Sequence, residues 1–188
     1  MAMAEQRKLK PWFKTKGRAG DRSLEQQMLG LDDLRARVTG KTLLDVGCAE
    51  GLISMRLFDE GAKAVHGLEV RPDFVKVANK LRGDRACTFE VADANDYEPV
   101  RDYDIVIMLA VLHKLRDPSS AAKRFATAAR EMVVLRTPPA TPATVIDDRS
   151  GGEKHHVGAV IVGCGFMLKN AGFVGPKGEW VGTYERIV

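Results

Sequence analysis

The chain has 188 residues, of which 45% are hydrophobic and 29% charged, with a net charge of +4. That is one domain of ordinary size, large enough to bury a core without staples. Three cysteines, Cys48, Cys87 and Cys164, show no paired metal-ligand spacing, which argues against a disulfide framework or a zinc site and predicts reduced, mostly buried thiols and no metal.

The charge is concentrated at the N-terminus. Arg7, Lys8, Lys10, Lys14, Lys16, Arg18 and Arg22 face only Glu5 and Asp21 before residue 23, so residues 1–23 read as a basic arm and 24–188 as the single domain. No run approaches the length of a membrane span, and no apolar signal core follows the basic residues, so a cytoplasmic location without a membrane partner is expected. A basic arm suits an anionic partner, although a solvated arm is the commoner outcome. Trp12-Phe13 within it could cover a ligand, stack on a base, or pin the arm to the domain. Leu24, Met28, Leu31, Leu34 and Val38 then recur at helical spacing, with Gly30 a potential break.

The stretch from Thr42 to Leu57 reads strand, turn, helix. Leu43, Leu44 and Val46 make a short apolar run, Gly47 and Gly51 bracket a bend, and Leu52 to Leu57 resumes at helical spacing. Such a unit docks ligands. A dinucleotide fingerprint would need glycine at Ala49 and Leu52, and no Gly-Lys-Ser/Thr follows Gly47, so neither phosphate motif fits. Ala64 to Glu69 and Cys87 to Asp93 read as two further strands, each ending in a carboxylate.

Asp45-Val46-Gly47-Cys48-Ala49-Glu50-Gly51, with Glu69 and Asp93 ending the next two strands, resembles the class I S-adenosylmethionine-dependent methyltransferases. The resemblance runs from about residue 41 to 188. It implies an α/β, doubly wound, mostly parallel sheet: Rossmann-like, seven-stranded with an antiparallel last strand, and helices on both faces. It also implies S-adenosyl-L-methionine as cofactor. Asp45, Gly47, Cys48, Ala49 and Gly51 would hold the methionine part, Glu69 the ribose hydroxyls and Asp93 the adenine amino group. Val70, Ala94 and Leu109, at the same strand ends, complete the implied cofactor set. The family's commonest form has glycine where this chain has Ala49, which permits the same turn with less room beside the cofactor.

Pro72 starts a helix carrying Phe74, Val77, Ala78 and Leu81 on one face, and Tyr103 to Leu109 is a fourth, nearly all-apolar strand opened by Asp104. Ala110 to Leu115 follows, which in the resembled family lines the methyl-transfer cleft. Pro118 begins an alanine-rich helix to Arg130, and Met132 to Arg136 is a fifth strand. Residues 137–153 read as a long irregular loop. Val157 to Ala171 reads as a helix weakened by three glycines, and a hairpin around Phe173-Val174 and Trp180 to Val188 ends the chain.

Methyl transfer from a sulfonium is an in-line displacement, so alignment and exclusion of water dominate and a base near neutral pKa assists a hydroxyl or amine acceptor. His113, just after the fourth strand, is the first candidate, with a cleft-wall role as its rival. His155 and His156 are the second, with an exposed pair as theirs. Trp12, Lys14, Lys16, Arg18 and Arg136 are the candidates for binding the substrate or an anion. No Asn/Asp-Pro-Pro-aromatic run and no Pro-Cys follows the fourth strand, which argues against amide or adenine methylation and against the cytosine C5 route. Three readings remain: methylation at O or N of a small-molecule substrate, an anionic metabolite included; the same chemistry on RNA held by the arm; or a cofactor- or RNA-binding protein without turnover.

Overall fold

The computed structural model describes residues 11–14, 20–100, 102–139, 145–148 and 150–188. Two short helices, α1 (Leu24–Met28) and α2 (Asp32–Arg37), precede β1 (Thr42–Val46), α3 (Leu52–Asp59), β2 (Ala64–Glu69), α4 (Pro72–Leu81), β3 (Cys87–Val91) and β4 (Tyr103–Leu109). After a 3-10 turn at Leu112–Lys114 come α5 (Pro118–Thr127), β5 (Ala129–Thr137), β6 (Val145–Asp147), β7 (Lys154–His156), α6 (Val157–Gly163), β8 (Phe166–Val174) and β9 (Glu179–Arg186).

Seven strands form one sheet in the order β3-β2-β1-β4-β5-β9-β8. β1 through β5 pair in parallel, and β9 runs antiparallel between β5 and β8. The strand order reverses between β1 and β4, and open α/β sheets bind ligands at that switch point, beyond the carboxyl ends of their strands. Each face of the sheet carries its own core. Phe125, Val157, Ile161 and Phe166 belong to one, and Leu34, Ile53, Phe74 and Ala78 to the other, so helices cover both faces as the sequence resemblance implies. Phe13 is 2% exposed and packs into the second core.

Asp104 sits at the opposite edge from the switch point. Its carboxylate accepts the backbone N–H and the hydroxyl of Thr42, both at 2.8 Å, tying the start of β4 to the start of β1.

Three expected elements differ. The helix over 24–38 is two helices, because Gly30 turns the chain with φ 74°. The helix over 157–171 stops at Gly163; Gly165, at φ 86°, redirects the chain, and Leu168 and Ala171 lie on the edge strand β8. The passage over 137–153 contains β6, which pairs with β7 in a two-stranded hairpin.

Candidate functional site

A cleft of about 430 Å³ lies at the carboxyl edge of the sheet, lined from Gly47 after β1, Leu68 to Val70 at the end of β2, Ala92 to Asn95 after β3, and Val111 and His113 to Leu115 after β4. The volume is ordinary for a small-molecule site. Glu69 is its organising group and is 9% exposed. One carboxylate oxygen accepts the Ala49 N–H at 3.0 Å and the other accepts the Arg71 N–H at 3.0 Å. Each oxygen keeps a lone pair, so a ligand diol can donate to a carboxylate that the backbone already holds in place.

The candidates of the glycine loop divide into lining and support. Gly47 lines the cleft at φ 79°, where an added Cβ would come within 2.8 Å of Val111. Ala49 adopts φ 50°, a left-handed conformation that costs a non-glycine residue roughly 1–2 kcal/mol, and in return aims its N–H at Glu69. Asp45 stands behind the loop, 3% exposed, accepting the Ser54 hydroxyl of α3 at 2.6 Å. Gly51 starts α3 against the ring of Phe89. Cys48 is buried, and burial above all raises its thiol pKa well above the usual value. Burial likewise pushes Cys87 to about 11. Both thiols are therefore uncharged at neutral pH.

Burial, with the Glu69 charge nearby, raises Asp45 to about 6, against the lowering effect of the Ser54 hydroxyl. A carboxyl raised on folding contributes stability that is complete below its unfolded pKa and lost as pH rises through the folded one. Relative to Asp45→Asn, the parent is therefore expected to lose on the order of 2–3 kcal/mol between about pH 4 and pH 7. Urea denaturation across that range measures it, and parallel stability curves for the two proteins would contradict it.

Val70, Asp93 and Ala94 line the cleft. Asp93 accepts the N–H and the amide of Asn95 at 2.9 and 2.7 Å. Leu109 instead packs at the margin of the second core. His113 is on the cleft wall, where burial first, then the Lys114 charge, lower it to about 4 while Glu179 opposes them. It is a neutral imidazole at physiological pH.

His155 and His156 are elsewhere. They line a separate surface cleft with Asp117 and Ser119. His155 is 6% exposed, and its Nδ1 lies 3.0 Å from the Ser119 hydroxyl, which docks the β6–β7 hairpin onto α5.

The N-terminal segment is fastened to the glycine loop by a residue that the sequence reading passed over. Glu50, 1% exposed, accepts the N–H of Trp12 at 3.0 Å and of Phe13 at 3.3 Å. Trp12 packs at the margin of the second core, with Arg22 and the cleft-lining Lys114 over its ring at 5.4 and 4.7 Å. Lys14 is exposed, and Lys16 and Arg18 lie outside the described residues. Arg136, the penultimate residue of β5, is 1% exposed and donates from Nη2 to the Leu29 carbonyl at 2.7 Å. Spacing around the two glycines was the one signal available for Glu50, since its partners lie 37 and 38 residues away.

Residues 44–133 match the family model of a methyltransferase domain. A ubiquinone biosynthesis O-methyltransferase of Thiobacillus denitrificans is 30% identical over 92 residues, 47% of this chain and 39% of that protein. A tRNA U34 carboxymethyltransferase of Haemophilus influenzae is 31% identical over 87 residues, 44% of this chain and 27% of that one. The chain thus spans well under half the length of these curated relatives. Among solved structures, magnesium protoporphyrin IX methyltransferase of Synechocystis with bound S-adenosylhomocysteine superposes with a TM-score of 0.67 at 19% identity, covering 87% of this chain and 83% of that one. The N-methyltransferase NodS of Bradyrhizobium japonicum does so with a TM-score of 0.70 at 13% identity, covering 87% and 96%. Both share the fold. The matched methyltransferase domain, the strand order and the carboxylate-lined cleft agree with the resemblance to the class I S-adenosylmethionine-dependent methyltransferases and support that family for this chain.

Proposed function

We propose that this chain binds S-adenosylmethionine in the cleft and catalyses methyl transfer to oxygen or nitrogen of a small molecule. The observation that carries the reading is Glu69, buried, held by two backbone N–H groups and open to a ligand diol. When bound, the sulfonium supplies an electrophilic methyl group, and the electrons of its broken bond stay on sulfur. The chain's own residues then have to fix the cofactor, exclude water and align the acceptor. Glu69 and Asp93 do the first. Trp12, held by Glu50 and in contact with the cleft-lining Lys114, is assigned the second.

His113 is assigned to the acceptor side. A base of pKa about 4 takes a proton weakly, so its share is orientation of an acceptor O–H or N–H by a neutral ring nitrogen. His113→Ala is expected to lower kcat by about tenfold or more while leaving S-adenosylhomocysteine affinity nearly unchanged. The parent's kcat should show no histidine inflection near pH 6.5, because the ring stays neutral from about pH 5 upward. Equal turnover in mutant and parent, or an inflection that disappears with His113, would overturn this role.

The experiment that tests the function is transfer of labelled methyl from S-adenosylmethionine into a cell extract separated into RNA, protein and small molecules. Label in the small-molecule fraction is expected. A second reading, RNA methylation, draws on the basic N-terminus and on the tRNA-modifying relative; it requires label in RNA and binding that weakens steeply with salt. The third, a binding protein without turnover, requires cofactor binding with no label in any fraction. No helix among the described residues is long and apolar enough to cross a membrane. The free thiols of Cys48, Cys87 and Cys164 accord with a cytoplasmic location.

A further inference from the structure

Arg136 has a property that the cofactor does not explain. Among the described residues its Nε and Nη1 are buried without a hydrogen-bond partner, and only Nη2 is engaged, by the Leu29 carbonyl. A buried guanidinium with unmet donors is costly unless an acceptor completes it. Its position is specific. Arg136 pairs in register with Leu109 at the end of β4 and with Val181 of β9, and its carbonyl accepts the Ala110 N–H at 2.9 Å. The cofactor cleft opens over the tips of β1 to β4; Arg136 lies on β5, one strand further along the same edge, where a second reactant would approach.

Other cations gather there. Arg22 is paired with Glu179 at 3.3 Å, and the same carboxylate acts electrostatically on both Arg136 and His113. Lys114 lines the cofactor cleft and rests on the ring of Trp12 that Arg22 also faces. Lys114 has no ion pair among the described residues. Glu179 thus faces Arg22 and Arg136, while Lys114 feels Glu69 and Arg22, so three cations share two carboxylates between the cleft and the end of β5, an excess that attracts an anion.

We propose that the methyl acceptor carries a carboxylate, which binds at the tips of β4, β5 and β9 against Arg136 and Lys114, with its nucleophilic O or N directed back toward His113 and the cleft. The carboxylate enters beside Arg22 in competition with Glu179 and supplies the acceptor that Arg136 lacks. This rests on the methyltransferase reading, and the test separates the two.

The probe is benzoate, a carboxylate on a flat ring suited to Trp12, with benzamide as its neutral counterpart, each added at millimolar concentration and constant ionic strength to the complex with S-adenosylhomocysteine. Benzoate is expected to raise the melting temperature of the parent complex in a saturable way and benzamide to leave it unchanged. Arg136→Gln and Lys114→Gln are each expected to weaken the benzoate response by about tenfold or more, while Arg136→Lys retains part of it. If Arg136→Gln does not fold, Lys114→Gln, on the exposed wall, carries the comparison. A parent that binds S-adenosylhomocysteine but ignores benzoate, an equal response to benzamide, or variants that respond as the parent does would overturn the proposal. A parent that fails to bind S-adenosylhomocysteine would instead overturn the underlying function.

Discussion

Glu69→Ala is expected to weaken S-adenosylhomocysteine binding by about 10- to 150-fold, measured by calorimetry. Hydrogen bonds to a charged, buried acceptor contribute about 1.5–3 kcal/mol, and each 1.4 kcal/mol is about tenfold in affinity. Removing the carboxylate also strips the Ala49 and Arg71 N–H groups of their acceptor. The left-handed turn at Ala49 loses the contact that offsets its strain, so part of the loss should appear as a lower melting temperature of the free protein. Glu69→Gln separates the contributions: an amide oxygen can still accept from one of those N–H groups, but its NH2 faces the other donor. Its affinity should fall between those of the parent and Glu69→Ala. Unchanged affinity in Glu69→Ala would remove Glu69 from the cofactor site.

The second large effect is expected at Gly51. A methyl group there would lie 2.5 Å from the Phe89 ring and 3.1 Å from the Ala78 Cβ, at φ 74°. Left-handed strain costs about 1–2 kcal/mol and overpacking about 1–3 kcal/mol, so Gly51→Ala should lose roughly 2–5 kcal/mol in chemical denaturation. Phe89 belongs to β3 and Ala78 to α4; the glycine is what lets α3 start this close to both. Phe89→Leu should recover the steric share and leave the backbone share. A loss below about 1 kcal/mol in Gly51→Ala would mean that α3 can shift away from β3 without cost.

What was legible in the sequence was what local pattern encodes. The apolar runs at Leu43 to Val46 and Ile105 to Leu109 are strands buried on both faces, and acids at strand ends, Glu69 and Asp93, line the cleft. Where periodicity was ambiguous, the edge of the sheet prevailed. Val157 to Ala171 keeps helical spacing, yet Met167, Leu168 and Phe173 are 48%, 43% and 67% exposed on β8, where no buried face imposes alternation. Long-range partners left no local trace: Glu50 holds Trp12 and Phe13, and Arg22 pairs with Glu179 across 157 residues. His155 and His156 follow the fifth strand in sequence, but the β6–β7 hairpin carries them to α5.

The most direct measurement is a crystal structure of the protein with S-adenosylhomocysteine. The ribose hydroxyls are expected within hydrogen-bond distance of Glu69, the adenine beside Asp93 and Ala94, and the sulfur facing His113. A ligand bound away from Glu69, or a cleft that stays closed to saturating ligand while the protein remains folded, would contradict the assignment of this cleft to the methyl donor.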